Sequence, residues 1–333
     1  MSTSSILTNR EKYADSKILA QQRRASKEVT VGLEKEINEL HKLNHLKRFG
    51  EVLFFFSLYL MGAGLSFWLG ESIFWYIVAL LLMGLAFNSL PIFLHEGLHG
   101  LLANNKRVNH LFSFLAALPL MMSSTAYEVT HTNHHIYLGR KSDYGTYKQY
   151  VKKPVFVWAA YLAQLLAGSF LYLAFIPILG FKSASNKYRA FIIFEYTIIC
   201  CSFYLFFSNF SAEVILQYWF YPILVMTVLT NIRGLASHAL GDVENIYLSS
   251  RTIDSSKLTA FLFMNENLHL EHHLFPSMPS YNLGKTHELI WDRLPEALYA
   301  KSYPEFLFQM AKAAVKNDLN TQGAIIPNER RQV

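Results

Sequence analysis

Cysteine is almost absent from this sequence: two in 333 residues, adjacent at Cys200 and Cys201 inside an apolar run. Adjacent positions do not readily meet disulfide geometry, which argues against a cross-linked secreted scaffold and fits a chain facing a reducing compartment. Charge is scarce as well. Only 16% of residues are charged, against about 25% in an ordinary soluble domain, while 52% are apolar and 15% aromatic. The first fifty residues lack the apolar core and small-residue cleavage site of a secretory signal and are polar, with neighbouring charges at Glu34, Lys35 and Glu36. Insertion into a membrane is therefore expected through internal segments. The formal charge of +6 and pI of 9.1 would suit nucleic acid, but the basic residues are scattered through tails and loops rather than gathered on one face. No nucleic-acid partner is expected; the charges read as topology signals and attraction to anionic headgroups. No internal repeat or low-complexity linker points to a second catalytic domain.

What the sequence does have is long apolar runs. Residues 52–69 and 73–94 can each cross a hydrocarbon core, which takes about 20 helical residues, and the short link Gly70-Glu71-Ser72 makes them a hairpin. Lys42, Lys47 and Arg48 precede the pair and Lys106 and Arg107 follow it, so the positive-inside rule places both open ends in the cytosol. Residues 191–207 and 214–232 form a second expected hairpin, joined by a connection without Lys or Arg. The stretch 155–179 has Lys152 and Lys153 before it and Lys182, Lys187 and Arg189 after it. With positive charge at both ends, and with Gly168 and Pro177 interrupting it, it is expected to be re-entrant or interfacial. The run 111–122, with Pro119, reads the same way. Trp68 and Trp219 read as interfacial anchors, and Phe54, Phe55, Trp75, Tyr76 and Phe87 as lipid-facing or packing surface rather than a tunnel.

Of 13 histidines, eight fall into three tight groups: His95 and His99 in HEGLH; His131, His134 and His135 in HTNHH; His269, His272 and His273 in HLEHH. On a helix, positions i, i+3 and i+4 share one face, so each group aims two or three imidazoles at one point. Metal ligation is the natural use of that geometry. A structural zinc site needs four ligands and usually some thiolate; eight imidazoles without cysteine imply two ions. Imidazole alone does not select among iron, copper, zinc and nickel, but a lipid-embedded site with no hydrolytic partner favours iron and dioxygen chemistry. The expected fold is an all-α membrane protein: four transmembrane helices beneath a cytosolic helical cap that carries a dinuclear metal site. Residues 1–50 form a cytosolic N-terminal segment, 51–290 the membrane domain and 291–333 a cytosolic C-terminal segment.

HxxxH, HxxHH and HxxHH in this order, with two spans between the second and third, resemble the integral membrane fatty acid desaturase superfamily over residues 87–289. NLHLEHHLFPSMPSYN, residues 267–282, is the most specific part. The resemblance implies a histidine-bound pair of iron ions (Fe2+/Fe3+) that, with O2 and two electrons, removes hydrogen from an acyl chain of a membrane lipid. Relatives on the same scaffold hydroxylate or ketolate carotenoids, sphingoids and other lipids. The resemblance also implies a ninth ligand at His238, in RGLASHALG. Front-end members fuse a cytochrome b5 domain and carry Gln at the first position of the third box. This chain has His269 there and no HPGG motif, which implies a separate donor, ferredoxin or cytochrome b5 with its reductase. A metal transport or storage protein is the reading of another class; it would need histidines within the spans.

Ligating imidazoles donate their other ring proton to a carboxylate or carbonyl. Glu96, Asp143, Asp242 and Glu271 are candidates for that role, and Asn265 or Asn267 for reaching a metal through water. Arg233 and Lys141 are candidates for a headgroup or donor contact. His41, His45, His110 and His287 have no partner at ligand spacing and are expected to lie outside the centre.

Overall fold

The computed structural model describes residues 17–140, 143, 151 and 153–328; Lys141 and Lys152 fall outside them. Two amphipathic helices, α1 (Lys17–Val29) and α2 (Glu34–Leu40), lead into α3 (His45–Leu69), which Asn44 caps by accepting the Lys47 N–H. Then follow α4 (Ile73–Leu98), α5 (Lys106–Ala117), α6 (Ser124–Tyr137), α7 (Pro154–Ser183), α8 (Asn186–Asn209) and α9 (Ala212–His238). Helix α9 contains a π segment at Leu216–Phe220. Five of these helices, α3, α4, α7, α8 and α9, are long and apolar enough to cross a membrane.

Helix α4 is the axis of the bundle. In an apolar solvent helices associate through close backbone approach and polar side chains rather than the hydrophobic effect, and α4 shows both. A Cβ on Gly62 of α3 would lie 2.8 Å from the Ala79 carbonyl of α4, and one on Gly84 of α4 would lie 2.4 Å from Val225 of α9. Thr230 donates to Asn88 at 3.3 Å one turn further along, so α4 and α9 run parallel and end at the same level. Gln217 donates to Ser66, and Tyr59 to the Tyr218 carbonyl, near the opposite end.

Helices α5 and α6 form a tight hairpin. The chain turns through Met121 in the left-handed region (φ 56°), and Ser123 caps α6 by accepting the Ala126 N–H. The Trp219 indole N–H donates to the Pro119 carbonyl of this turn, whereas Trp68 is exposed.

The interruption expected at Gly168 and Pro177 is absent, for α7 is one 30-residue helix. At Gly168 the carboxamide of Asn231 on α9 seats against the backbone, accepting from the Ser169 N–H and donating to the Leu165 carbonyl. It thus pairs with both members of one i, i+4 ladder position, which holds the helix at its weakest point. One end of α7 packs Val157 and Tyr161 against Leu235 and Ala236 of α9; the other brings Gly180 against Ala126 of α6.

Beyond α9 the fold departs from the all-α expectation. Strands β1 (Arg251–Ile253), β2 (Ala297–Ala300) and β3 (Ala324–Ile325) form a small sheet, β1 parallel and β3 antiparallel to β2. Strands of two to four residues carry no readable alternation. The sheet buries Arg251, whose guanidinium donates to the carbonyls of Ala236, Ala239 and Gln322 and so ties down the last turn of α9. Helices α10 (Lys257–Leu262), α11 (His269–Leu274), α12 (Ser280–Ile290) and α13 (Tyr303–Val315) complete this layer. Ala25, Val29 and Ile37 of the N-terminal helices share a core with Leu270, Leu274 and Met278.

Gly84→Leu should lower the thermal midpoint in detergent, because overpacking a close helix contact costs about 1–3 kcal/mol. Gly64→Ala, at a position with no neighbour within 4 Å, should leave it unchanged.

Candidate metal centre

His95 lies in the last turn of α4, with His99 just beyond its end. Gly97 between them is pressed by α5: a Cβ there would fall 1.9 Å from Ser113 Oγ. Asn109 of α5 donates to the Gly97 carbonyl at 2.7 Å and accepts from the Leu102 N–H at 3.0 Å, fixing the chain on both sides of the box. Helix α6 carries His131, His134 and His135, α11 carries His269, His272 and His273, and α9 ends on His238.

All nine rings meet in one layer and separate into two groups, His95, His99, His131, His135 and His272 in one and His134, His238, His269 and His273 in the other. Within each group the ligand atoms lie within 4.8 Å of one another. In the first, Nε2 atoms approach at 3.3 Å (His95 and His99), 3.2 Å (His99 and His131), 3.0 Å (His131 and His135) and 3.2 Å (His135 and His272). The second group shows 3.1 Å for His134 and His238, 3.4 Å for His134 and His273, 3.0 Å for His238 and His269 and 3.2 Å for His269 and His273. The second box straddles both groups: the i, i+4 pair His131 and His135 serves one and His134 the other. The third box divides the other way, His272 alone against His269 and His273.

Three outward nitrogens, those of His238, His134 and His95, face acceptors that orient their rings. His238 Nδ1 lies 3.0 Å from the Ser249 carbonyl, which only accepts, so the proton sits on Nδ1 and the Nε2 lone pair points inward. His134 Nδ1 lies 2.9 Å from the Asp143 carboxylate, which the Gly139 N–H also holds. His95 Nδ1 lies 3.2 Å from Glu266, whose other oxygen is 3.9 Å from His269 Nδ1 and 4.0 Å from Arg233. Glu266 therefore stands between a ring of each group. Burial, followed by the charge of neighbouring imidazoles, holds His99, His131, His135, His269, His272 and His273 well below the usual histidine range, so these rings are neutral.

His134 and His238, whose Nδ1 atoms each face an acceptor, approach through Nε2 at 3.1 Å, and two lone pairs so placed repel unless a cation stands between them. Metal–nitrogen bonds of about 2.0–2.1 Å give neighbouring ligand atoms spacings of about 3.0 Å in an octahedron and about 3.4 Å in a tetrahedron. The observed spacings span that range, and each group fits a bound metal ion.

The other sequence candidates brace the layer. Glu96 pairs with Arg48 and accepts from the Ser280 N–H. Glu271 accepts from Thr252 and holds His287 Nδ1 at 2.5 Å. Asn265 donates to the Ser280 carbonyl and Asn267 to that of Ile253. Asp242 stays in its own turn, accepting from the Glu244 N–H. His41, His45 and His110, like His287, bond elsewhere: to the Ile37 carbonyl, Asn104 and Glu195. Sequence reading named both neighbours of Glu266 and passed over Glu266 itself. Its signal was available, an acid one helical turn before His269. The Ser249 carbonyl, supplied by a loop, left none.

The family model for fatty acid desaturases matches residues 72–304. The chain belongs to that family and is an oxidoreductase of the desaturase type, built as a multi-pass membrane protein. It is 28% identical over 271 residues to the dihydrorhizobitoxine desaturase of Bradyrhizobium elkanii, covering 71% of each chain. With the sn-1 oleoyl-lipid 12-desaturase of a Picosynechococcus species it shares 24% identity over 266 residues, 72% of this chain and 75% of the relative.

Asp143→Asn should keep the fold but weaken metal uptake about 10–100-fold, the usual effect of removing an orienting partner, when titrated by metal analysis of purified protein. His272→Ala and His134→Ala should each lose metal from a different group, leaving at most one tightly held ion per chain; two retained ions in both variants would contradict the two-group assignment.

Proposed function

We propose that this chain is a membrane lipid desaturase that introduces a double bond into an acyl chain, using two iron ions, O2 and two electrons from a separate ferredoxin or cytochrome b5. The observation that carries the reading is the pair of all-imidazole groups at one end of an apolar helical bundle. The desaturase names of both relatives support it. The proposed ligands are His95, His99, His131, His135 and His272 for one ion and His134, His238, His269 and His273 for the other. When bound, the irons supply the redox chemistry that activates dioxygen for attack on an unactivated carbon–hydrogen bond.

The chain's own residues supply the setting. Asp143, the Ser249 carbonyl and Glu266 face Nδ1 of His134, His238 and His95, which favours the proton on Nδ1 and Nε2 free in those three rings. Burial of His95, His135, His269, His272 and His273 excludes water, protecting a strong oxidant from side reactions. All-nitrogen ligation without thiolate suits iron and leaves no ligand that the oxidant would itself consume.

The proposed topology keeps four spans, α3, α4, α8 and α9, with the histidine layer on the cytosolic side. Helix α7 then lies along the interface. Its two ends touch the C-terminal end of α9 and the N-terminal part of α6, both of them histidine carriers. Hydroxylation or ketolation of another lipid uses the same centre and differs only in where the reacting carbon sits.

Expression in a host of defined lipid composition, with a reductase supplied, followed by mass spectrometry of total lipids, tests the reading. An acyl chain that loses two hydrogens supports desaturation. Gain of one oxygen transfers the assignment to hydroxylation, and an unchanged profile overturns both.

A further inference from the structure

Beyond Lys187 and Arg189 in its first turn, helix α8 carries a single charged residue, the buried acid Glu195, which lies on the stripe Ile192, Glu195, Ile199 and Phe203 that faces the α5–α6 hairpin. Its side chain is 2% exposed. One oxygen accepts from Ser123 Oγ at 2.5 Å and the Thr125 N–H at 3.0 Å. The other accepts from Ser124 Oγ at 2.7 Å and Thr125 Oγ1 at 2.9 Å, and lies 3.0 Å from His110 Nε2 of α5. An ionisable group inside an apolar span is expensive, and one with five polar partners marks a function by default. Hydrophobic contact alone would hold α8 against α6 at lower cost.

We infer that Glu195 is a positioning residue for the second histidine box, a role that rests on the metal reading above. The carboxylate grips the first residues of α6, where a helix presents unsatisfied N–H groups and the positive end of its dipole. From there α6 runs as a rigid rod to His131, His134 and His135. Those rings enter both metal groups, so a shift at the start of α6 misplaces ligands of both ions at once. Glu195 touches none of the nine rings and acts through the helix. Ser123 also caps α6 by itself through the Ala126 N–H, so removing Glu195 need not unravel the helix; it frees its direction.

The test compares wild-type protein, Glu195→Leu and Glu195→Gln in detergent, reading ferrous-ion affinity, the Mössbauer spectrum of the iron-loaded protein and the thermal midpoint. Glu195→Leu should remain monodisperse, bind iron about tenfold or more weakly and show broadened, heterogeneous iron signals. Glu195→Gln, whose carbonyl oxygen still accepts, should recover most of the affinity. A merely structural role would lower the midpoint while leaving the affinity and spectrum of the folded fraction unchanged, and that result overturns the inference. If Glu195→Leu does not fold, Ser124→Ala with Thr125→Val, which removes two hydroxyl donors, decides in the same way. Wild-type protein that takes up no iron would sink the metal reading and this inference with it; normal uptake by both wild type and Glu195→Leu sinks the positioning role alone.

Discussion

Nine imidazoles are brought to about hydrogen-bond distance of one another, and the fold is arranged around holding them together. Burial holds His99, His131, His135, His269, His272 and His273 below the usual histidine range, which removes charge repulsion among them. The rings are held from outside. Helix ends deliver His95 and His238, a hairpin delivers the second box, and a short helix within the sheet-braced layer delivers the third. The site is thus the meeting point of four separately tethered elements.

Each tether is polar or depends on the absence of a side chain. Among apolar helices in an apolar solvent, burial discriminates poorly between one rotation and another, so direction comes from groups that must be satisfied. Asn109 pins the first box, Arg251 pins the last turn of α9, and Asn231 fixes α9 against α7. Gly84 and Gly97 matter through the space they leave. Buried polar groups of this kind are costly when unpaired and directional when paired. These residues hold the two helix ends from which His95 and His238 emerge, one into each group.

Much of this was legible in the sequence. The boxes were readable because residue type and helical spacing coincide three times, and the apolar stretches because span length is set by the bilayer. The division of each box between two groups was not. His131, His134 and His135 share a helix face, and only the neighbours brought by α4, α9 and α11 decide which ring serves which group. Glu195 was visible as a letter but silent as a partner, since it bonds Ser123, Ser124 and Thr125, remote in the chain; for Glu266 the spacing to His269 was readable and the approach to His95 was not. The three short strands were unreadable because two to four residues give no period. Lys141, a candidate for donor contact, lies outside the described residues.

Among the bracing carboxylates, Glu266 and Glu195 differ in a way that explains why both are needed. Glu266 lies against the rings and can correct their rotation, because it faces His95 of one group and His269 of the other. It cannot correct the position of α6, which it does not grip. Glu195 grips α6 but is too remote to turn a ring. A rigid helix converts a small tilt at its start into a larger displacement three turns later, whereas a ring bonded through Nδ1 resists rotation but follows its backbone. Placing the rings of both groups therefore draws on constraints at two scales, one setting where a backbone runs and one setting how His95, His134 and His238 are turned.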